Sequence, residues 1–214
     1  MKTITVFTPA YNRAHTLRRA FNSLKAQTCK DFEWLIIDDG STDGTSELVE
    51  RLQEEADFPI RYYWKENGGR HTAVNYSYQF LQTKYVVTLD SDDELTPNAV
   101  ELMIRTWNSI PKERYDHIWC VSGREMDANT LQLVGGPYPE DINEKSGKAQ
   151  RKILLKYEGE KHCCRRVDIH IRYKFPVYDD TKFVLEHPVW EVINREYDQW
   201  CVNDVYGLYT KESE

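Results

Sequence analysis

No apolar run approaches the roughly 18–20 residues that a membrane-spanning helix needs, so no transmembrane helix is encoded. The apolar stretch in the N-terminal MKTITVFTPAYNR is short and leads into a polar loop. It therefore reads as a first strand and not as a signal peptide. Basic charge is in deficit: 28 Lys and Arg face 35 Asp and Glu, a net charge of −7. That excludes nucleic-acid binding through a broad basic surface and leaves only local cationic spots such as Arg165-Arg166. The cysteines Cys29, Cys120, Cys163, Cys164 and Cys201 form no CxxC pair and no zinc spacing. Odd in number and without a secretion signal, they are expected as free, small buried hydrophobes in a reducing cytoplasm. Three phosphate or nucleophile signatures are also missing. Without GxxxxGK[ST] there is no P-loop, and without GxGxxG a dinucleotide site is disfavoured. Without GxSxG there is no nucleophile elbow. Internal repeats and low-complexity segments are absent as well.

What is present suits one domain of ordinary to large size, or two small ones: 214 residues, 40% hydrophobic and 13% aromatic, enough for a real core. The first half alternates strand and helix patterns. Residues 4–8 (ITVFT) are β-rich and stop at Pro9, and Leu17, Ala20, Phe21 and Leu24 recur at helical spacing within 15–27. Residues 33–37 (EWLII) read as a buried strand, and Leu48, Val49 and Leu52 mark a second helix. A third strand is expected at 60–64, a third helix at 72–81, a fourth strand at 85–89 and a fifth at 117–122. Thr96 and Pro97 suit the N-cap and first position of a fourth helix. Such alternation predicts an α/β fold, a mainly parallel sheet flanked by helices, with ligands beyond the carboxyl ends of the strands. Four loops with unusual chemistry belong there: TPAYNR, DDGSTDGT, NGGRHT and DSDDEL. After Ser122 the pattern weakens; residues 135–150 look like a mobile loop or linker and the remainder like mixed α+β.

Each loop supports a chemical expectation beside a plainer one. In VVTLDSDDEL (86–95), a strand delivering Asp90 and Asp92 at alternate positions would hold two carboxylates near one point, suited to Mg²⁺ or Mn²⁺ carrying a diphosphate. A surface turn whose Asp93 and Glu94 favour a following helix dipole is the alternative, and Asp93 competes with Asp92 as ligand. Asp38-Asp39 ends a buried strand; a carboxylate there can accept the imide N–H of a uracil while Tyr11 stacks on the ring, although turn and cap chemistry also explains it. Asp39, Ser41, Asp43, Gly44 and Glu50 come near calcium-loop spacing, but Ser at the third position and a preceding strand argue against an EF-hand. Asn67-Gly68-Gly69-Arg70 offers pliant backbone and a cation near a phosphate. In residues 183–190 (FVLEHPVW), Glu186 sits inside an apolar stretch, where burial would raise its pKa and suit it to proton transfer; a paired structural Glu fits equally. Arg165-Arg166 could meet phosphates or a sugar acid, or form a solvated basic turn.

Taken together, TPAYNR at 8–13, AFNSLKAQTCKDFEWLIIDDGSTDGT at 20–45, NGGRHTAVN at 67–75 and LDSDDEL at 89–95 resemble the family 2 glycosyltransferases, which have the GT-A fold. The resemblance covers residues 1 to about 125, and its strength lies in the order and spacing of the pieces. It implies a single GT-A domain over 1–214, with a nucleotide-sugar half (1–125) and an acceptor-side half (126–214). It implies a nucleotide-diphospho-sugar donor, UDP-linked by family custom. Tyr11 and Asp39 would hold the base, Pro9 would shape that pocket, and Asp90 would meet the ribose. Asp92 would hold Mn²⁺ or Mg²⁺, and Arg70 would lie near the base or diphosphate. KFPVYDDTKFVLEHPVW (174–190) resembles the segment carrying the catalytic base, which implies that role for Glu186, with Asp179 and Asp180 as alternatives; the family's frequent Glu-Asp is Glu186-His187 here. Many relatives run longer, so a short member or a truncated chain is expected, with acceptor contacts and a late metal ligand outside it. The implied activity is inverting transfer to a hydroxyl of a glycan or lipid-linked glycan, in the cytoplasm and compatible with peripheral attachment at the inner membrane face. Two rivals are a nucleotidyltransferase, for which TPAYNR lacks the glycines, and a sugar-nucleotide binding module that has lost activity.

Overall fold

A computed structural model describes residues 1–138 and 161–210. The β-rich segments become β1 (Ile4–Ala10), β2 (Phe32–Asp38), β3 (Ile60–Trp64) and β4 (Tyr85–Thr88). They stand side by side in the order β3-β2-β1-β4, all parallel. β1 and β2 are buried along almost their whole length, as strands covered on both faces must be. Successive side chains alternate between two cores: Ile4, Val6, Trp34, Ile36 and Val87 face one, and Phe7, Leu35, Ile37 and Val86 the other. The sheet continues with β7 (Lys161–Arg166) antiparallel to β4, then β6 (Ile118–Asp127), β8 (Asp198–Tyr209) and the short β5 (Glu94–Leu95). β6 and β8 are parallel, so strands of both halves share one sheet.

The helices are α1 (Leu17–Lys25), α2 (Thr45–Glu55), α3 (Arg70–Ser77), α4 (Ala99–Ser109) and the short α5 (Lys112–Tyr115), followed by a turn of helix at Val167–His170 and a helix at His187–Glu196. α1 buries Leu17, Ala20, Phe21 and Leu24, the residues whose spacing predicted it. β1 runs on through Pro9 to Ala10, where the expected strand stopped, and three further boundaries differ for physical reasons. Thr96 does not cap α4; its hydroxyl donates to the Val205 carbonyl (2.8 Å) and its N–H to that of Tyr206 (3.0 Å), which ties β5 to β8 and delays the helix to Asn98 as N-cap. α3 begins at Arg70, immediately after Gly69 at φ +93°, and gives way to a 3₁₀ turn at Tyr78–Phe80. β6 runs to Asp127, well beyond Ser122, because it is paired on both edges. Residues 139–150 of the expected loop or linker lie outside the described residues.

Arg165 and Arg166 lie within β7 and form no solvated turn. The Arg165 guanidinium covers the Trp190 ring at 4.8 Å and donates to Thr88, while Arg166 pairs with Asp168 and covers Tyr115. The cysteines form no disulfide among the described residues, and Cys120, Cys164 and Cys201 are buried. Among the described residues, no helix is long and apolar enough to cross a membrane.

Candidate functional site

The parallel strands end together, and the four polar loops follow them at one sheet edge. A buried relay sets the floor: the Trp34 indole donates to the Thr8 hydroxyl (2.9 Å), which donates to the Leu89 carbonyl (2.7 Å) just before the aspartate cluster. β4 stops at Thr88, so Asp90 and Asp92 come from a turn and not from alternate strand positions; the Asp93 N–H closes that turn on the Asp90 carbonyl (3.1 Å). The turn still presents both carboxylates to one cavity of about 280 Å³. Pro9, Tyr11, Asp39, Arg70, Asp90 and Asp92 all line it. Every donor or metal residue expected from the sequence thus meets at one place, and Tyr11 is half-exposed at its wall.

The two acids of the second loop divide their work. Asp38 is fully buried and structural, accepting from the Ser41 N–H (2.7 Å) and the Tyr62 hydroxyl (2.6 Å). Asp39, 3% exposed, organises the glycine loop: it accepts from Lys65 (2.5 Å), Gly69 N–H (2.7 Å), Gly68 N–H (3.1 Å) and the Asn67 amide (3.2 Å). Asp43 is taken up by the Ala14 N–H and by Thr45 at the start of α2. Those hydrogen bonds outweigh the slight desolvation of this exposed residue and hold its pKa below the usual carboxylate value. Turn and cap chemistry therefore accounts for the near-calcium spacing. Asn12, in the left-handed region at φ +53°, joins the first loop to the second through Ser41 and Thr42, and brings Arg13 into the cavity wall.

Asp92 and Asp93 point in different directions. Asp93 does not line the cavity; it accepts the Thr210 N–H (3.2 Å), and burial, reinforced by Asp90, Asp92 and Glu125, pushes its pKa up to about 7. The Asp92 carbonyl receives Arg19, while its carboxylate has no hydrogen-bond or ion-pair partner among the described residues. No group of three or more His, Cys, Asp or Glu able to hold a metal occurs among the described residues. The donor set instead fits a hard cation that takes one or two protein carboxylates, Asp92 foremost, and its other ligands from a diphosphate and water.

Glu186 is not the buried acid that its apolar neighbours suggested. Phe183 and Leu185 are 76% and 63% exposed, so the stretch is a surface wall. Glu186 is held by charge: one guanidinium nitrogen of Arg70 pairs with it, and the other reaches Asp90 at 2.6 Å. The Trp190 indole also donates to Glu186 (3.2 Å). The segment is seated on the donor loops by the Asn75 amide, which exchanges two 2.9 Å bonds with the Phe175 backbone, and by Gly69, where a Cβ would overlap the Lys182 carbonyl. Asp179 and Asp180 lie in an exposed turn away from this arrangement.

The profile of Glycosyl transferase family 2 matches residues 5–170. The chain belongs to that family. A GalNAc(5)-diNAcBac-PP-undecaprenol β-1,3-glucosyltransferase of Campylobacter jejuni is 30% identical over 162 residues, which cover 75% of this chain and 50% of that protein. A chondroitin synthase of Pasteurella multocida is 39% identical over 102 residues, 48% of this chain and 10% of that one. The chain thus spans half or less of the length of these relatives. Among solved structures, S. aureus TarS 1–349 in complex with UDP-GlcNAc superposes with a TM-score of 0.69 at 18% identity, covering 100% of this chain and 60% of that one. The mannosyltransferase PcManGT of Pyrobaculum calidifontis, in complex with GDP-Man and Mn²⁺, gives 0.68 at 19% identity, covering 96% and 56%. The α/β architecture of this family 2 member is the GT-A fold, as the motif resemblance implied.

The signal for Arg13 was present within TPAYNR, beside residues already singled out. His71 lies within NGGRHT and Lys182 within the 174–190 segment, but nothing in either stretch pointed to those two residues, which both line a cavity against Glu186.

Proposed function

We propose that this family 2 member is an inverting glycosyltransferase that moves a sugar from a nucleoside-diphosphate sugar, UDP-linked foremost, to a hydroxyl of a glycan or lipid-linked glycan in cell-surface polysaccharide synthesis. The carrying observation is the line Asp90–Arg70–Glu186 across the rim of a cavity whose Asp92 carboxylate has no partner among the described residues. Tyr11 offers the base a stacking surface, Asp39 holds the glycine loop at the cavity wall, and Pro9 shapes the floor. Asp90 faces the ribose, and Arg70 faces the diphosphate. A Mn²⁺ or Mg²⁺ held by Asp92 would neutralise charge on the leaving diphosphate. Glu186 takes the proton of the attacking hydroxyl from the other side of Arg70, and one base suffices because inversion needs no covalent intermediate. Work at the inner membrane face suits a lipid-linked acceptor.

A thermal-shift screen of UDP-GlcNAc, UDP-glucose and GDP-mannose, each with and without Mn²⁺, tests donor and metal together, because ligands that bind the native state raise its stability by mass action. A donor raising Tm only with the metal is expected, and its effect should vanish in Asp92→Ala. Glu186→Gln should keep donor binding and lose transfer by about 10²–10⁴-fold. An Asp92→Ala protein with undiminished metal-dependent transfer would overturn the metal assignment, and an active Glu186→Gln the base. Donor binding without turnover on any acceptor would favour an inactive binding module.

A further inference from the structure

A cavity of about 220 Å³ lies on the other side of Arg70 from the donor cavity, against Glu186. His71 and Lys182 line it beside an apolar wall that includes Phe183 and Leu185. His71 is 3% exposed, and among the described residues neither ring nitrogen has a hydrogen-bond partner. Leaving a buried polar group unpaired costs about 1–3 kcal/mol, so such groups ordinarily have partners. A neutral imidazole donates with one nitrogen and accepts with the other, which matches a hydroxyl group.

Charge supplies the second half of the argument. Arg70 is shared between Asp90 on the donor side and Glu186 in this cavity. Lys182 is exposed, and among the described residues its hydrogen-bond partner is the neutral Asn67 amide, at 2.7 Å. Arg70 and His71 are also the first two residues of α3, so the positive end of that helix abuts the same cavity. Among the described residues, the side chains lining this cavity bring two positive charges, Arg70 and Lys182, against the single carboxylate of Glu186, beside a hydroxyl-matching imidazole.

We infer that this cavity seats the acceptor and selects one bearing an anionic group, carboxylate or phosphate, close to the reacting hydroxyl. The inference rests on the glycosyl-transfer reading above. His71 bonds an acceptor hydroxyl, Lys182 meets the anion, and the apolar wall covers one face of the bound group. In the reaction, the acceptor oxygen forms a bond to the anomeric carbon while the bond from that carbon to the diphosphate oxygen breaks. Its electron pair leaves with the nucleoside diphosphate, and the acceptor's proton passes to the Glu186 carboxylate.

Three probes separate the contributions: glucose, glucuronate and glycerol 3-phosphate, titrated by calorimetry with UDP and Mn²⁺ at saturation. Glucose and glucuronate differ in the charged group, and the third probe distinguishes phosphate from carboxylate. In the wild type, at least one anion should bind about ten-fold more tightly than glucose, the scale of one charge-assisted hydrogen bond. Lys182→Met should abolish that ratio, an internal comparison within each variant that a general loss of folded protein would not alter. His71→Phe should weaken the probes that bind, and His71→Gln, which keeps a donor and an acceptor, should restore part. Anions binding no more tightly than glucose, no binding by any probe, or a preference that survives Lys182→Met would overturn the inference. Failure of the wild type to bind UDP or GDP at all would count instead against the glycosyl-transfer reading.

Discussion

Asp93→Asn should make the protein more stable, by an amount that grows above about pH 4 and is complete above about pH 7. Burial, reinforced by three neighbouring acids, pushes the Asp93 pKa up to about 7, against about 3.9 for an aspartate in an unfolded chain. Between those values the folded protein holds a proton that the unfolded chain has released, so this residue's contribution to stability declines as pH rises through the window. At about 1.4 kcal/mol per pH unit, the gap of about 3 would reach about 4 kcal/mol in a dry site. Asp93 is only half-buried, and solvent screening reduces this to about 1–2 kcal/mol. Asparagine keeps the shape and can still accept the Thr210 N–H, but it carries no charge. For a domain of this size, 1 kcal/mol corresponds to about 2–4 °C in Tm. Calorimetric scans without nucleotide or divalent ion should therefore show the variant about 3–6 °C above wild type at pH 8 and within about 1 °C at pH 4.5. Taking the difference between variant and wild type at each pH cancels most of what other groups titrate. An equal gain at both pH values, or a lower Tm at pH 8, would refute the reasoning.

Other expectations follow from the same contacts. Gly69→Ala places a Cβ against the Lys182 carbonyl at φ +93°, so it should cost at least about 1–3 kcal/mol in urea denaturation and depress transfer more than donor binding, because the Glu186 segment is displaced. Asn75→Ala removes both bonds to Phe175 and should cost about 1–3 kcal/mol, with faster proteolysis near residues 174–186. Trp34→Phe leaves the Thr8 hydroxyl without its buried donor, and should lower stability by about 1–3 kcal/mol in chemical denaturation. Calcium at millimolar concentration should leave the Tm of wild type and Asp43→Asn alike unchanged, since the Asp43 carboxylate serves the start of α2.

The alternation of strands and helices and the chemistry of the four loops were legible from residue order, because hydrophobic period and turn composition are local properties. Parallel strands must all deliver their following loops to one edge, so the gathering of Pro9, Tyr11, Asp39, Arg70, Asp90 and Asp92 was already implied by their positions at or after strand ends. Directions within a turn are not local in that sense. Asp93 turns inward and Asp92 outward because β4 ends two residues before Asp90 and the backbone of Thr210 meets Asp93, a contact across 117 residues. The apolar residues around Glu186 read as core, whereas only the fold shows them as an exposed wall with the carboxylate paired to Arg70. An apolar run alone does not say whether anything covers it. His71 and Lys182 gain their place beside Glu186 because Gly69 lets two distant segments touch. The sequence by itself determined the fold class, the family and the loops that gather at one cavity. The tertiary structure decided which acid faces the cavity, what holds Glu186 and what surrounds it, since those depend on pairings between residues far apart in the chain.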